Sequence, residues 1–298
     1  MVGWGLSMNR KKNSKSIIYK SLFTLFFVIF IGASSILISD WYREKKHQDK
    51  FEELSGYVEE QKESEPEEEK NTTVVDTESA TEAEVDVLAE RGIVVPEKNL
   101  NWNALYEENE HIIGWIYIPG TKIDYPILQH PEIESYYLNR NLDGSVGYPG
   151  CIYIQLLNNK DFTDYNTVLY GHNMKNKTMF ATLHKYEDIT FLEQNHYAYI
   201  YTPETTLVYD LFAAYEYSDK HILYEYNFDV AEARQMYLDM VFGIRDMSAN
   251  IRRDVEVTSE TPIITMITCI SGKDNKRYFV NGALVNTSAL KEIKGVQE

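Results

Sequence analysis

Cysteine is scarce in this sequence, with only Cys151 and Cys269 among 298 residues. Two thiols cannot supply a zinc site of four cysteines or a disulfide-dense scaffold. Basic residues are also few, because 29 lysines and arginines face 46 acidic residues and leave a formal net charge of -17. Such a surface repels phosphate backbones, so the composition argues against a nucleic-acid partner.

Other signals are missing as well. The sequence shows no internal repeat, no metal-binding cluster and no phosphate-binding loop, so it implies no cofactor. The fractions of hydrophobic residues, 44%, and charged residues, 25%, are nevertheless those of globular proteins. They exclude a wholly disordered chain and a polytopic membrane protein. Aromatic residues reach 13%, led by 23 tyrosines, a composition that favours β-sheets over helical bundles.

One long apolar run lies near the N-terminus, between Ser21 and Ser39. A helix of about 20 residues spans the ~30 Å hydrocarbon layer of a bilayer, so residues 21–40 are predicted to form a transmembrane anchor. Five basic residues precede the run, and acids mix with the lysines that follow it. The positive-inside bias therefore places residues 1–20 in the cytoplasm and the rest of the chain outside. We expect a single-pass protein of the cell membrane.

A cleaved secretion signal is the alternative for this run, since Ala33, Ser34 and Ser35 are small enough for a signal peptidase. The apolar core of a signal peptide usually runs ~7–15 residues, and this run is longer, which favours an uncleaved anchor. Met8, just before the first basic residues, is an alternative initiator to Met1.

Residues 41–97 are acidic and poor in aromatics, with 17 acids and five lysines within residues 44–90. Such a segment buries too little apolar surface to offset the entropy of ordering, so it is predicted to be a flexible stalk. The stalk would hold the folded region, predicted over residues 98–298, at a distance from the membrane.

The folded region carries the patterns of a mainly β domain. A short amphipathic helix is predicted at its start, with Asn101 as its cap, and a second helix is predicted over 229–242. Turn signals separate eight short strands with little helix between most of them, which indicates a closed or nearly closed β-barrel. The predicted strands are Trp115–Ile118, Ile123–Leu128, Cys151–Gln155, Thr167–His172, Tyr197–Tyr201, Thr206–Tyr217, Ile263–Cys269 and Arg277–Val285.

Cys269 is a candidate nucleophile. It ends the apolar run that begins at Ile263 and precedes Ser271-Gly272, so its thiol is expected at the mouth of a strand, within reach of a substrate. The alternative is a buried small hydrophobe, which is how most free cysteines are used. The thiol alone leaves both interpretations open.

Arg277 and His172 are the candidate partners of this thiol. Arg277 is predicted to open the last strand, near the sulfur, where its charge would favour the thiolate or bind a carbonyl oxygen that becomes negative. Its alternative role is that of an ordinary edge-strand arginine. His172 is predicted to end the fourth strand, and histidine titrates in the range needed to take a proton from a thiol. Six other histidines compete with it.

Three motifs follow one another along the folded region. The first runs from Leu105 to Pro126 and contains Gly-Trp-Ile-Tyr-Ile-Pro-Gly-Thr at 114–121. The second is Asn-Thr-Val-Leu-Tyr-Gly-His-Asn-Met at 166–174, followed by Met179-Phe180, and the third is Thr-Met-Ile-Thr-Cys at 265–269. In these motifs and their order the chain resembles the sortases, and specifically class B, with Arg277 where that family places an arginine.

The resemblance covers about residues 100 to 286 and implies an eight-stranded sortase-type β-barrel with an N-terminal helix and a helix inserted before the cysteine strand. It implies that Cys269 attacks the peptide bond after the threonine of a C-terminal sorting signal and forms a thioester. An amine of a cell-wall precursor or a pilin then accepts the acyl group. His172 would act as general acid and base, and Arg277 would bind substrate and oxyanion. The partners implied are surface proteins or pilins that carry the signal.

The sequence departs from the family pattern at several positions. Met266 and Ile267 replace the commoner leucine and serine or threonine. Ile270 and Ser271 are neutral where some members carry an acid, so no fourth catalytic carboxylate is assigned. Cys151 stands where relatives usually have serine, and it is predicted to pack inside the barrel.

Two other functions stay open on the sequence alone. A surface cysteine peptidase would use the same residues but hydrolyse the thioester with water. A non-catalytic adhesin or receptor on an acidic stalk would leave His172, Cys269 and Arg277 scattered in the fold.

Overall fold

The computed structural model describes residues 8–55 and 87–295, which fall into two compact units divided between Asp49 and Lys50. Helix α1 (Met8–Ser55) supplies the first unit. Among the described residues, it is the one helix long and apolar enough to cross a membrane, with a mean hydropathy of 2.4 in an 18-residue window that is not buried. A signal sequence near an N-terminus would also meet these criteria of length and composition.

The predicted stalk is described only at its ends, because residues 56–86 lie outside the described residues. At the near end, Phe51 and Leu54 belong to the second unit and are buried there. The ring of Phe51 meets Tyr125 edge-on, with ring centroids 5.4 Å apart. The chain is described again from helix α2 (Val87–Glu90).

The second unit is built mainly of strands. Helix α3 (Trp102–Glu108) is capped as predicted, because the side chain of Asn101 accepts a hydrogen bond from the Ala104 N–H at 3.1 Å. The described strands are β1 (Ile112–Tyr117), β2 (Asp124–Leu128), β3 (Ile152–Ile154), β4 (Asn166–Tyr170), β5 (Tyr197–Tyr201), β6 (Thr206–Ser218), β7 (Asn250–Ile251), β8 (Ile263–Ile270) and β9 (Lys273–Leu284). The further helices are α4 (Ile189–Gln194), α5 (Ile222–Glu225), α6 (Ala231–Gly243), α7 (Ala289–Gly295) and the 3-10 helices Tyr136–Leu138 and Phe180–Glu187.

Eight of these strands close into a barrel, in the order β5-β1-β2-β3-β4-β8-β9-β6, and β6 pairs back onto β5. The two-residue strand β7 adds to the outside of this ring by pairing with β6. Most neighbours are antiparallel, but β2 with β3 and β4 with β8 are parallel pairs. The predicted eight-stranded barrel is confirmed, and helix α6 confirms the helix predicted before the cysteine strand.

Side chains of β8 alternate between two hydrophobic clusters. Ile264 and Met266 join the large cluster inside the barrel, whereas Ile263 and Ile267 join a second cluster outside it. Helix α6 covers that outer cluster and contributes the buried residues Tyr237, Leu238 and Val241. Because both faces of β8 are buried, its sequence is mostly apolar and does not alternate with charged residues, as in other doubly covered strands.

Three predicted boundaries were wrong near the candidate site. Strand β8 continues one residue past Cys269, and β9 begins at Lys273, so Arg277 is the fifth residue of β9 and does not open it. A tight turn at Gly272, whose φ is +78°, makes this hairpin shorter than the sequence predicted. His172 lies two residues beyond the end of β4. Away from the site, strand β1 begins at Ile112, three residues before its predicted start at Trp115.

Candidate active site

Cys269 lies where the buried part of β8 ends. The six preceding residues of the strand, Ile263 to Thr268, are buried, but Cys269 is exposed. By strand alternation it shares the outer face with Ile263 and Ile267, beyond the part of that face that the second cluster covers. The alternative of a buried hydrophobe therefore does not apply to Cys269.

Arg277 stands directly opposite Cys269 in the antiparallel β8–β9 pair. Residues opposite each other in such a pair project to the same face with their Cβ atoms about 4.5–5.5 Å apart. The Nη1 group of Arg277 donates to the carbonyl oxygens of Asp274 and Lys276, both at 2.8 Å. These two carbonyls hold the guanidinium at the hairpin beside the thiol.

His172 reaches the same level through the parallel pairing of β4 with β8. Tyr170 is paired with Ile267, and one residue further the Gly171 N–H donates to the Ile267 carbonyl at 3.2 Å. The Thr268 hydroxyl then donates to the Gly171 carbonyl at 2.8 Å. Since both strands run in the same direction, His172 arrives beside Cys269. The structure thus brings the three predicted residues together.

The ring of His172 is held by groups that the sequence did not predict. Its Nε2 bonds to the Leu138 carbonyl at 2.5 Å, and Tyr148 packs against it edge-on with centroids 5.0 Å apart. Burial lowers the pKa of His172 below the usual histidine value, and the bond to the Leu138 carbonyl opposes this shift only partly. If Nε2 carries the proton, Nδ1 of the neutral ring is the acceptor.

Gly150 makes room for this arrangement. Its φ is +68°, and a Cβ at this position would lie 2.9 Å from the Leu138 carbonyl oxygen and 3.3 Å from Cδ2 of His172. A glycine is therefore required both by the backbone conformation and by the close approach of the histidine. The Pro149-Gly150 turn signal was visible in the sequence, but its contact with His172 was not.

Two further polar side chains meet the backbone of Cys269. The Asn173 side-chain amide donates to the Cys269 carbonyl at 2.9 Å, and Nε2 of His184 lies 3.0 Å from the same oxygen. On the sequence alone, His184 was one of the six histidines that competed with His172 as the catalytic candidate. The position of Asn173 directly after His172 was the one available signal for it.

The other described histidines of the second unit lie in different environments. His196 binds Asp210, His111 binds the Tyr137 hydroxyl, and His221 binds Gln155. Within the described ranges, no group of three or more histidine, cysteine or acidic side chains is arranged to hold a metal ion. Cys151 is 1% exposed, and burial raises the pKa of its thiol well above the usual range.

Comparisons with known proteins agree with this geometry. A family model described as the sortase domain matches residues 116–285. Sortase B of Listeria monocytogenes is 34% identical over 183 residues, which cover 61% of this chain and 72% of that protein. The X-ray structure of Clostridium perfringens sortase B matches with a TM-score of 0.56 and 28% identity, covering 62% of this chain and 100% of that chain. A Staphylococcus aureus sortase B–substrate complex matches with a TM-score of 0.54 and 26% identity, covering 62% and 84% of the two chains.

The chain therefore belongs to the sortase family. Proteins named sortase B, to which it is similar, are cysteine transpeptidases, so it is an enzyme of that kind. The open alternative of a non-catalytic adhesin is excluded by this membership.

Proposed function

We propose that this protein is a membrane-anchored class B sortase that cleaves a C-terminal sorting signal after threonine and transfers the acyl group to an amine. The observation that carries the proposal is the meeting of Cys269, Arg277 and His172 at the open ends of three adjacent strands. The acceptor is the amine of a cell-wall precursor or of a pilin, and the donors are surface proteins or pilins with the signal.

His172 would move the proton in both half-reactions. In the first, it takes the thiol proton while the sulfur attacks the carbonyl carbon of the threonine, and it returns the proton to the leaving amine as the C–N bond breaks. The lowered pKa of His172 keeps the ring neutral at neutral pH, which is the form that accepts a proton. In the second, it takes a proton from the acceptor amine and returns it to sulfur as the thioester C–S bond breaks.

Arg277 would bind the carbonyl oxygen on which negative charge develops. Its position opposite Cys269 is set by the β8–β9 register, and its Nη1 is anchored on two hairpin carbonyls. Anchoring one nitrogen fixes the plane of the guanidinium, so the other N–H groups keep a fixed orientation toward the substrate path. Donors fixed in advance stabilise an oxyanion without reorganisation at the moment of reaction.

Product analysis tests the reaction. The full-length protein in detergent micelles is incubated with a library of sorting-signal peptides and candidate amines, and the products are identified by mass spectrometry. We expect peptides cleaved after threonine and joined to an amine, and no product from Cys269→Ala. Cleaved acids without any amide product, at saturating amine, would instead establish a hydrolytic peptidase.

The membrane location has a separate test. A helix α1 that crosses the membrane with an inward N-terminus places the barrel outside the cell. Protease added to intact cells is then expected to cut within residues 50–95 and release the barrel. Release only after lysis would reverse the proposed topology, and a free barrel in the medium without protease would indicate a cleaved signal.

A further inference from the structure

The carbonyl group of Cys269 is held by side chains. The β8–β9 pairing becomes irregular immediately after Cys269, where the register shifts before Ile270. On the other side of β8, strand β4 has already ended at Tyr170. The Cys269 carbonyl oxygen instead has Asn173 Nδ2 at 2.9 Å and His184 Nε2 at 3.0 Å.

His184 is braced on two sides. It belongs to the 3-10 helix Phe180–Glu187, and its Nδ1 lies 2.6 Å from the Glu187 carboxylate. Its ring stacks on Tyr278, with centroids 4.9 Å apart and an interplanar angle of 25°. Tyr278 directly follows Arg277 on β9, and Asn173 directly follows His172. The ring therefore contacts Cys269 itself, Tyr278 next to Arg277, and Asn173 next to His172.

The distances limit the hydrogen bonds that the Asn173 amide can make. Asn173 Nδ2, His184 Nε2 and the Cys269 oxygen form a nearly equilateral triangle with sides of 2.9, 3.0 and 3.1 Å. Its corners are close to 60°, whereas the two N–H bonds of an amide diverge by about 120°. Asn173 therefore cannot direct one good hydrogen bond at each neighbour. The arrangement is satisfied when both Asn173 and His184 Nε2 donate to the Cys269 oxygen.

Both nitrogens of the His184 ring face acceptors. Nδ1 lies 2.6 Å from the Glu187 carboxylate, and Nε2 lies 3.0 Å from the Cys269 carbonyl oxygen. The ring is thus held between an acidic side chain of its own 3-10 helix and the backbone of β8.

We propose that His184 is a positioning residue that, together with Asn173, fixes the Cys269 backbone and thereby aims the nucleophilic sulfur. This inference rests on the proposed function for its meaning in catalysis. The Cys269 carbonyl lies beyond the end of β4, and a misplacement of about 1 Å at a reacting centre can cost on the order of 10²-fold in rate. The two side chains hold this carbonyl in place at the residue that forms the thioester.

Two matched variants test the role of Nε2. The amide nitrogen of glutamine reaches about as far as histidine Nε2, whereas that of asparagine reaches only about as far as Nδ1. We expect His184→Asn to lower kcat on the order of 10²-fold with KM for the sorting peptide nearly unchanged. His184→Gln should keep most of the wild-type kcat. Equal losses in both variants, or a loss confined to KM, would overturn the proposal.

A second measurement is independent of sortase activity. The protein has two cysteines, so full-length protein labelled with [1-¹³C]cysteine in detergent micelles gives two carbonyl resonances, assigned with Cys151→Ser. We expect the Cys269 resonance to move upfield in His184→Asn, where a donor is lost, and to stay near its wild-type position in His184→Gln. An unchanged resonance in His184→Asn would refute the contact even if no peptide substrate were turned over.

Discussion

The two cysteines of this barrel are the same residue in opposite environments. Cys151 immediately precedes β3, is 1% exposed, and directs its sulfur to the Arg140 carbonyl at 3.5 Å. Cys269 is exposed on β8, opposite an arginine. Burial raises the pKa of the Cys151 thiol, which keeps it protonated and unreactive. The comparison shows that strand face and strand position separate a buried packing thiol from the exposed thiol proposed as the nucleophile.

Removing each sulfur is the most direct way to break this comparison. We expect Cys269→Ala to abolish turnover and thioester trapping, because no other described thiol is exposed. Cys151→Ser should retain most of both, at some cost in stability from placing a hydroxyl in a buried site. Peptide turnover and mass spectrometry of the trapped acyl-enzyme measure the two effects. A Cys151–Cys269 disulfide in active enzyme would contradict the assignment.

Changing the cation opposite Cys269 has the next largest expected effect. If Arg277 acts only through its charge, Arg277→Lys keeps much of the activity, since lysine is cationic at neutral pH. If it binds through its planar fork, lysine cannot reproduce two parallel hydrogen bonds. We expect the second outcome, with kcat/KM lower by about 10²–10³-fold for lysine and at least as much for alanine. Near-normal kcat/KM in Arg277→Lys would leave only the electrostatic role.

Gly150, in the turn just before Cys151, tests whether the backbone around the buried cysteine positions His172 beside the exposed one. A Cβ in Gly150→Ala would strain a backbone at φ +68° and displace the Leu138 carbonyl that holds His172. We expect a loss of about 1–3 kcal/mol in unfolding free energy and a lower kcat.

Gly144→Ala is the matched control for this change. Gly144 has a similar φ of +76°, but a Cβ there would meet nothing within 4 Å. Gly144→Ala should therefore lower the unfolding free energy through backbone strain but leave kcat unchanged. If both variants lost kcat equally, the Leu138 carbonyl would not position His172.

The smallest effect concerns pH and stability. Burial lowers the pKa of His172 in the folded protein, whereas an unfolded histidine titrates near ~6.5. As pH falls through the unfolded value, the unfolded chain binds protons first, so the free energy of unfolding decreases.

His172→Gln should reduce, though not remove, this acid destabilisation, because burial also lowers the pKa of His130 and His221. Denaturant unfolding at neutral and mildly acidic pH, followed by near-ultraviolet circular dichroism, measures the difference. A variant whose stability fell with pH as steeply as the wild type would show that His172 does not contribute.

Much of the architecture could be predicted because its signals are local. The apolar run at 21–40, the alternation of the strands and the turn residues between them are properties of neighbouring residues, and they predicted a single span and eight strands. Cys269 and His172 could be proposed as catalytic because each comes directly after an apolar stretch of sequence within a recognisable motif. Boundaries at Cys269 and Arg277 were less accurate, because hairpin length depends on turn geometry at Gly272.

What the sequence by itself determined is therefore the apolar run, the eight strands of the barrel and the candidates for the reactive residues. Only the tertiary structure decided how those residues meet. The Cys269 carbonyl is bound by Asn173 and approached by His184, which are 96 and 85 residues away in sequence. These contacts depend on the parallel pairing of β4 with β8 and on the β8–β9 register. Local periodicity carries no information on which distant strands pair, because that choice is made by packing and loop closure across the whole barrel.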